Sequence, residues 1–198
     1  MRGVFYARML EDASALPGGV EQLLDEVTDP RIRDFVQQGF QFMNWYDVFP
    51  SLPCAVAFSR IRRRAFEPHM REVAHAGMRK LIPSMFRVLS RLGGPRLAAA
   101  HAPRLLQTYF DFIELRLSQV TDEGGSGVLS GIPLYVAPLI VNQVIGFISG
   151  ALESVGAKEI DAGYTDVTVN RSSCGFDLVT CRGDFGWRLE QRMMRPRV

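Results

Sequence analysis

The stretch Pro138-Leu139-Ile140-Val141-Asn142-Gln143-Val144-Ile145-Gly146-Phe147-Ile148-Ser149-Gly150-Ala151-Leu152-Glu153-Ser154-Val155 decides how this chain folds. Its apolar side chains fall on nearly every side of a helix, and a helix apolar all round has to be buried. Gly156 follows as the terminator, because glycine takes the left-handed backbone that ends many helices at little cost. The apolar run at 132–148 is interrupted by Pro133, Pro138, Asn142 and Gln143 and is shorter than the about 20 residues that cross a bilayer. The helix at 138–155 therefore reads as the centre of a core. Within it, Gly146 and Gly150 are spaced i, i+4 and permit another backbone to approach closely. Packing inside the chain is the commoner use of such a stripe, and pairing with a second copy is the other.

The flanks of this helix carry a different period. Ile113, Leu115 and Leu117 alternate with Glu114, Arg116 and Ser118, the mark of a half-buried strand. The residues 122–127 (Asp-Glu-Gly-Gly-Ser-Gly) read as a turn, with the return strand at 128–134. Beyond Gly156, residues 160–169 and 176–182 read as a second hairpin around 170–173. A change of apolar parity between Tyr164 and Val167 predicts a bulge near Asp166. The carboxy-terminal half is thus a ββαββ unit with a four-stranded antiparallel sheet.

The preceding half is helical. Residues 3–10 read either as an edge strand or as a first helical turn. Val20, Leu23, Leu24 and Val27 make one helical face, and Asp29-Pro30 starts another helix with Asp29 as cap. Helices follow at about 54–64 and 68–92, the latter with a candidate break at Pro83 and a stop at Gly93-Gly94-Pro95. A last helical stretch covers 96–109. The expected fold class is α+β: a helical amino-terminal half packed on a four-stranded antiparallel sheet, as one domain over 1–187 with a basic tail at 188–198.

Composition sets the class of protein. The 198 residues, 47% hydrophobic and 22% charged, suit one globular domain. Three cysteines (Cys54, Cys174, Cys181) cannot all pair, which suits a reducing compartment, and the short, mixed segment Met1–Arg8 lacks a signal-peptide pattern. A cytoplasmic protein is expected. The net charge of +2 hides an asymmetry, since 60–104 holds eleven Lys/Arg against Glu67 and Glu72. Its densest part, Arg60, Arg62, Arg63 and Arg64, reads either as a solvated helix end opposing the macrodipole or as a surface for an acidic partner. No nucleic-acid module accompanies it, so nucleic acid is not an expected partner.

Catalytic and metal-binding patterns are missing. No nucleophile elbow, P-loop or dinucleotide fingerprint occurs. His69 and His75 are six apart and share no helix face as a metal-ligating pair would. His101 sits among alanines, and all three histidines read as surface or helix-end residues. Cys174 and Cys181 have no histidine near them, so they read as buried or half-buried thiols and not as zinc ligands. The aromatic residues Phe40, Phe42, Trp45, Tyr46 and Phe49, with Tyr109, Phe110 and Phe112, read as filling or lining the seam between helices and sheet.

The helical half, the hairpin, the apolar helix ending in Gly150-Ala151-Leu152-Glu153-Ser154-Val155-Gly156-Ala157, and the second hairpin together resemble an uncharacterised paralogous family of myxobacterial proteins. More remotely they resemble the superfamily of vinyl-reductase-type (V4R) ligand-binding domains, haem nitric-oxide-binding domains and TRAPP vesicle-tethering subunits. The resemblance covers about residues 1–187. It implies a small-molecule-sensing or dimerising module without enzymatic activity. The Tyr-x-Ser-x-Arg motif of haem nitric-oxide-binding members is absent, as is the cysteine cluster of zinc-bearing V4R sensors, so no cofactor and no metal are expected. The resulting expectation is a non-enzymatic sensory or interaction module that binds an apolar small ligand or a protein between helical layer and sheet, through Trp45, Tyr46, Phe49, Tyr109 and Phe112. The alternative is a homodimeric scaffold or adaptor that meets an acidic partner through the basic surface at 60–104.

Overall fold

The computed structural model describes residues 1–85, 87–171 and 175–189, with side chains described outside 81–93. Cys174 and the segment 190–198 lie outside the described residues. Helices α1 (Gly3–Ser14), α2 (Gly19–Glu26), α3 (Pro30–Gln37), α4 (Ser51–Ile61), α5 (Phe66–Met85) and α6 (Arg87–Tyr109) precede strands β1 (Glu114–Val120) and β2 (Gly124–Pro133). Then come α7 (Ala137–Ser154), β3 (Ala157–Arg171) and β4 (Asp177–Leu189). The α+β architecture is the one the periodicities predict.

The opening segment is a helix, which resolves the strand-or-helix alternative. It buries Tyr6 and Ala13 while Arg2 N donates to Tyr109 O at 2.9 Å, tying the start of α1 to the end of α6. Asp29 caps α3 by accepting from Arg31 N at 2.9 Å, with Pro30 in the first turn. No break occurs at Pro83, since α5 continues to Met85; the break falls at Gly94, whose φ of 60° and ψ of −165° leave the helical region. Gly156 has φ +97° and ends α7 as expected.

The sheet order is β1-β2-β4-β3, all antiparallel, with a register shift between Tyr164 and Val167 where the parity change predicts it. Two strand limits differ most from expectation. β2 begins at Gly124, inside the expected turn. A Cβ on Gly124 would lie 2.4 Å from Phe185 O, and one on Gly125 would lie 2.7 Å from the Phe185 ring. These glycines therefore serve strand packing against β4 and not only the turn. β4 continues through Arg188 and Leu189, residues assigned to the tail by sequence, because Arg188 pairs with Lys158 in β3 and its guanidinium meets Glu159 at 2.9 Å.

Helix α7 lies between the sheet and α5. Leu139, Ile140 and Leu152 are fully enclosed, and Gly146 and Gly150 face the α5 backbone within the chain. Its length and apolarity would also suit a membrane span, but 61% of that window is buried inside the protein. Asn142, the polar residue at its centre, accepts from Arg71 Nε at 2.7 Å and donates to Pro138 O at 2.8 Å. Replacing Asn142 by alanine is expected to lower stability by about 1–3 kcal/mol, because it empties a buried hydrogen-bonded position. Chemical denaturation measures this.

Candidate functional site

The helix–sheet seam is nearly solid: a void of about 50 Å³ lies under Leu115, Leu129, Val141, Val144, Ile148 and Cys181. The larger opening lies one layer further from the sheet, among α1, α4, α5, the end of α6, and α7, with a volume of about 390 Å³. Ligand sites typically span about 300–1,000 Å³. Its interior is apolar, with Phe5, Val73, Met78, Tyr109, Val144 and Phe147 among the walls. Arg8, Arg62 and Lys80 stand at its edge with Glu11, Asp12 and Glu72, so cations and acids there are matched in number.

The space exists because small residues face it. Gly77 sits in the middle of α5, where glycine costs roughly 1 kcal/mol relative to alanine, and a Cβ there would meet no atom within 4 Å. Ala55, Ala74 and Ala76 also border the opening. Met1, Val4 and Met9 bring further apolar surface from the amino-terminal segment.

Of the five aromatic residues singled out by sequence, Tyr109 is the one that lines this cavity. Its ring stands edge-on to Phe5 at 5.5 Å, and burial raises its phenol above the ordinary value. Tyr46 joins a cluster with Tyr6, Phe35 and Phe40, ring centroids 5.0–6.4 Å apart, and its hydroxyl accepts from Gln41 N. Trp45 is 42% exposed with the Arg2 guanidinium 3.9 Å above its ring. Phe49 packs near Tyr135 and Phe176, and Phe112 sits edge-on to Phe110. The five are not gathered around one opening.

The basic run ends α4. Arg60, Arg62, Arg63 and Arg64 are exposed; Arg62 lies 5.1 Å from the Phe58 ring, and Arg64 meets Glu72 at 2.5 Å. Cys54 lies on the buried face of the same helix, and burial pushes its thiol up to about 12, so it is unreactive at neutral pH. Cys181 is also buried, and its thiol is raised for the same reason.

Sequence reasoning missed His69, which reads there as a surface or helix-end residue. It is buried in the first turns of α5 and belongs to the cavity wall. Its ring stacks on Phe58 at 5.4 Å and 18°, and Nδ1 lies 2.9 Å from Ser59 Oγ. A readable signal was its place beside Met70 and Val73 on one apolar stripe. Burial holds the imidazole below its ordinary value near 6.5; Arg62 and Arg64 push the same way, while Glu72 and Asp12 oppose. The unfolded chain therefore binds a proton more readily. Stability is complete above about pH 6.5 and falls as pH drops below that value toward the depressed native one. Denaturation midpoints from pH 8 to 5 should fall more steeply for the wild type than for His69→Phe.

No protein-family model matches the chain, and no curated protein matches it in sequence. Solved structures do. An unliganded Fe(II) H-NOX protein from K. algicida aligns with TM-score 0.64 at 9% identity, over 96% of this chain and 98% of that one. A Cs H-NOX mutant carrying 4-cyano-L-phenylalanine aligns with TM-score 0.62 at 12% identity, over 96% and 100%. An oxygen-binding H-NOX domain related to soluble guanylate cyclases aligns with TM-score 0.60 at 10% identity, over 95% of each. At these identities the likeness is one of fold: the chain has the H-NOX fold over about 95% of its length.

Proposed function

We propose that this chain is a non-enzymatic sensory module whose ligand is an apolar small molecule held among α1, α4, α5, α6 and α7. The observation that carries the reading is the apolar opening of about 390 Å³, kept clear by Gly77 in mid-helix. A glycine that weakens its helix without relieving any contact is accounted for if the space beside it is used. The H-NOX neighbours support a sensory role, since one of them is described as an oxygen-binding domain related to guanylate cyclases.

Haem, the group that this fold implies, does not fit the residues present. Its two carboxylates call for surplus cations at the cavity mouth, yet Arg8, Arg62 and Lys80 face an equal number of acids there. Arg8 is turned onto Gly77 O at 3.3 Å, and Arg62 lies over Phe58. His101 is not part of the wall, and His69, which is, has its ring stacked on Phe58 and its Nδ1 held by Ser59. A different, smaller and less charged ligand suits the site.

Native mass spectrometry of protein purified from its own host tests the proposal, with an absorption spectrum alongside. The expected result is a small molecule released on denaturation and no haem band. A ligand-free mass, together with no uptake of any apolar probe such as 2-naphthol, would count against it.

A further inference from the structure

The polar atoms in the cavity wall specify a ligand more narrowly than its size does. Ser59 Oγ is 2.9 Å from Ala55 O, a carbonyl one turn back in α4 that can only accept. The single hydroxyl hydrogen of Ser59 is committed to that carbonyl, the usual back-bond of a helical serine. Toward His69 Nδ1, also at 2.9 Å, Ser59 can then only accept. Nδ1 must carry the imidazole hydrogen, and burial keeps the ring neutral. The lone pair consequently resides on Nε2, and among the described residues no hydrogen-bond donor reaches it. His69 is buried and part of the cavity wall.

Gln143, on α7, also borders the cavity, but its Oε1 is shut away from any molecule entering it. Buried polar atoms are ordinarily paired, and leaving one without a partner costs about 1–3 kcal/mol.

We infer that the cavity takes a neutral apolar molecule bearing at least one hydroxyl or N–H group, which donates to His69 Nε2. A carboxylate is disfavoured, because it brings acceptors to a nitrogen that itself accepts. A purely hydrocarbon ligand is disfavoured because it leaves that nitrogen unpaired. The inference rests on the cavity being a ligand site, and it assigns His69 a recognition role that helix α5 alone would not require.

Two measurements on the intact chain test it. The first is the ¹⁵N–¹H long-range correlation spectrum of the histidine side chains. It should show His69 as the Nδ1–H tautomer with a bare Nε2, and an Nε2–H tautomer would overturn the assignment whether or not any variant folds. The second compares 2-naphthol with naphthalene, a pair that differ by one hydroxyl group. Wild type should bind 2-naphthol about tenfold more tightly than naphthalene, the worth of one added hydrogen bond, and in His69→Phe the two probes should bind equally. Equal binding of both probes by wild type, or a preference that survives in His69→Phe, would overturn the inference and leave the cavity proposal standing. Binding of neither probe to wild type would overturn both.

Discussion

Replacing Gly146 by leucine is expected to leave the protein unfolded, and replacing it by alanine to cost about 3 kcal/mol. A Cβ at this position would stand 2.2 Å from Arg71 O and 3.0 Å from the Ala74 side chain. The obstacle is the backbone of α5, which cannot rotate away as a side chain can. Overpacking relieved by side-chain movement costs about 1–3 kcal/mol, so alanine belongs at the upper end of that range. Moving α5 away would also stretch the Arg71–Asn142 hydrogen bond at 2.7 Å and the His75–Glu153 contact at 2.8 Å. Leucine adds three more carbons in the same direction, against a total stability that is commonly about 5–15 kcal/mol. Gly163, exposed in β3 with nothing within 4 Å of its Cβ position, is the control. Gly163→Ala should change stability by no more than about 0.5 kcal/mol. Urea denaturation of the three variants provides the comparison.

Gly77→Leu should have the opposite character: binding lost and stability kept or raised. Its Cβ enters open space, so no clash offsets the gain of about 0.5–1 kcal/mol from removing a mid-helix glycine. The leucine side chain would occupy volume between Val73, Met78 and Val144, where the ligand is proposed to lie. An affinity loss of about a hundredfold for 2-naphthol, roughly 2.7 kcal/mol, is expected in a fluorescence titration, with a denaturation midpoint at or above that of wild type. A variant that binds the probe as wild type does would place the ligand elsewhere.

Much of the fold was legible because its signals are local. An all-round apolar helix closed by Gly156 can only be central, and alternation at 113–117 can only be a half-buried strand. The bulge between Tyr164 and Val167 was readable as a slip in a period of two. The start of β2 was not, because Gly124 and Gly125 look like turn residues until Phe185 of β4 is seen crowding them. The stripe Gly146–Gly150 announced a close neighbour without saying which; α5 is 71 residues distant in sequence at the Asn142–Arg71 hydrogen bond.

The site was less legible for a related reason. Apolar side chains around a packed interior and around a hollow one obey the same periodicity, so the aromatic residues were assigned to the seam beside the sheet. The opening lies instead within the helical layer, and Tyr109 alone of the five borders it. Trp45 illustrates the difference: its partner is the Arg2 guanidinium at the surface. His69 escaped notice because its environment is tertiary. Ser59 and Phe58 come from α4, across the short turn that carries the basic run.

A crystal structure of the protein purified from its own host tests the central claim most directly. Non-protein density bounded by Val73, Met78, Tyr109, Val144 and Phe147, within hydrogen-bond reach of His69 Nε2, is the predicted result. Side chains of Met78 and Phe147 closed over that space, leaving a solid interior, would contradict the account.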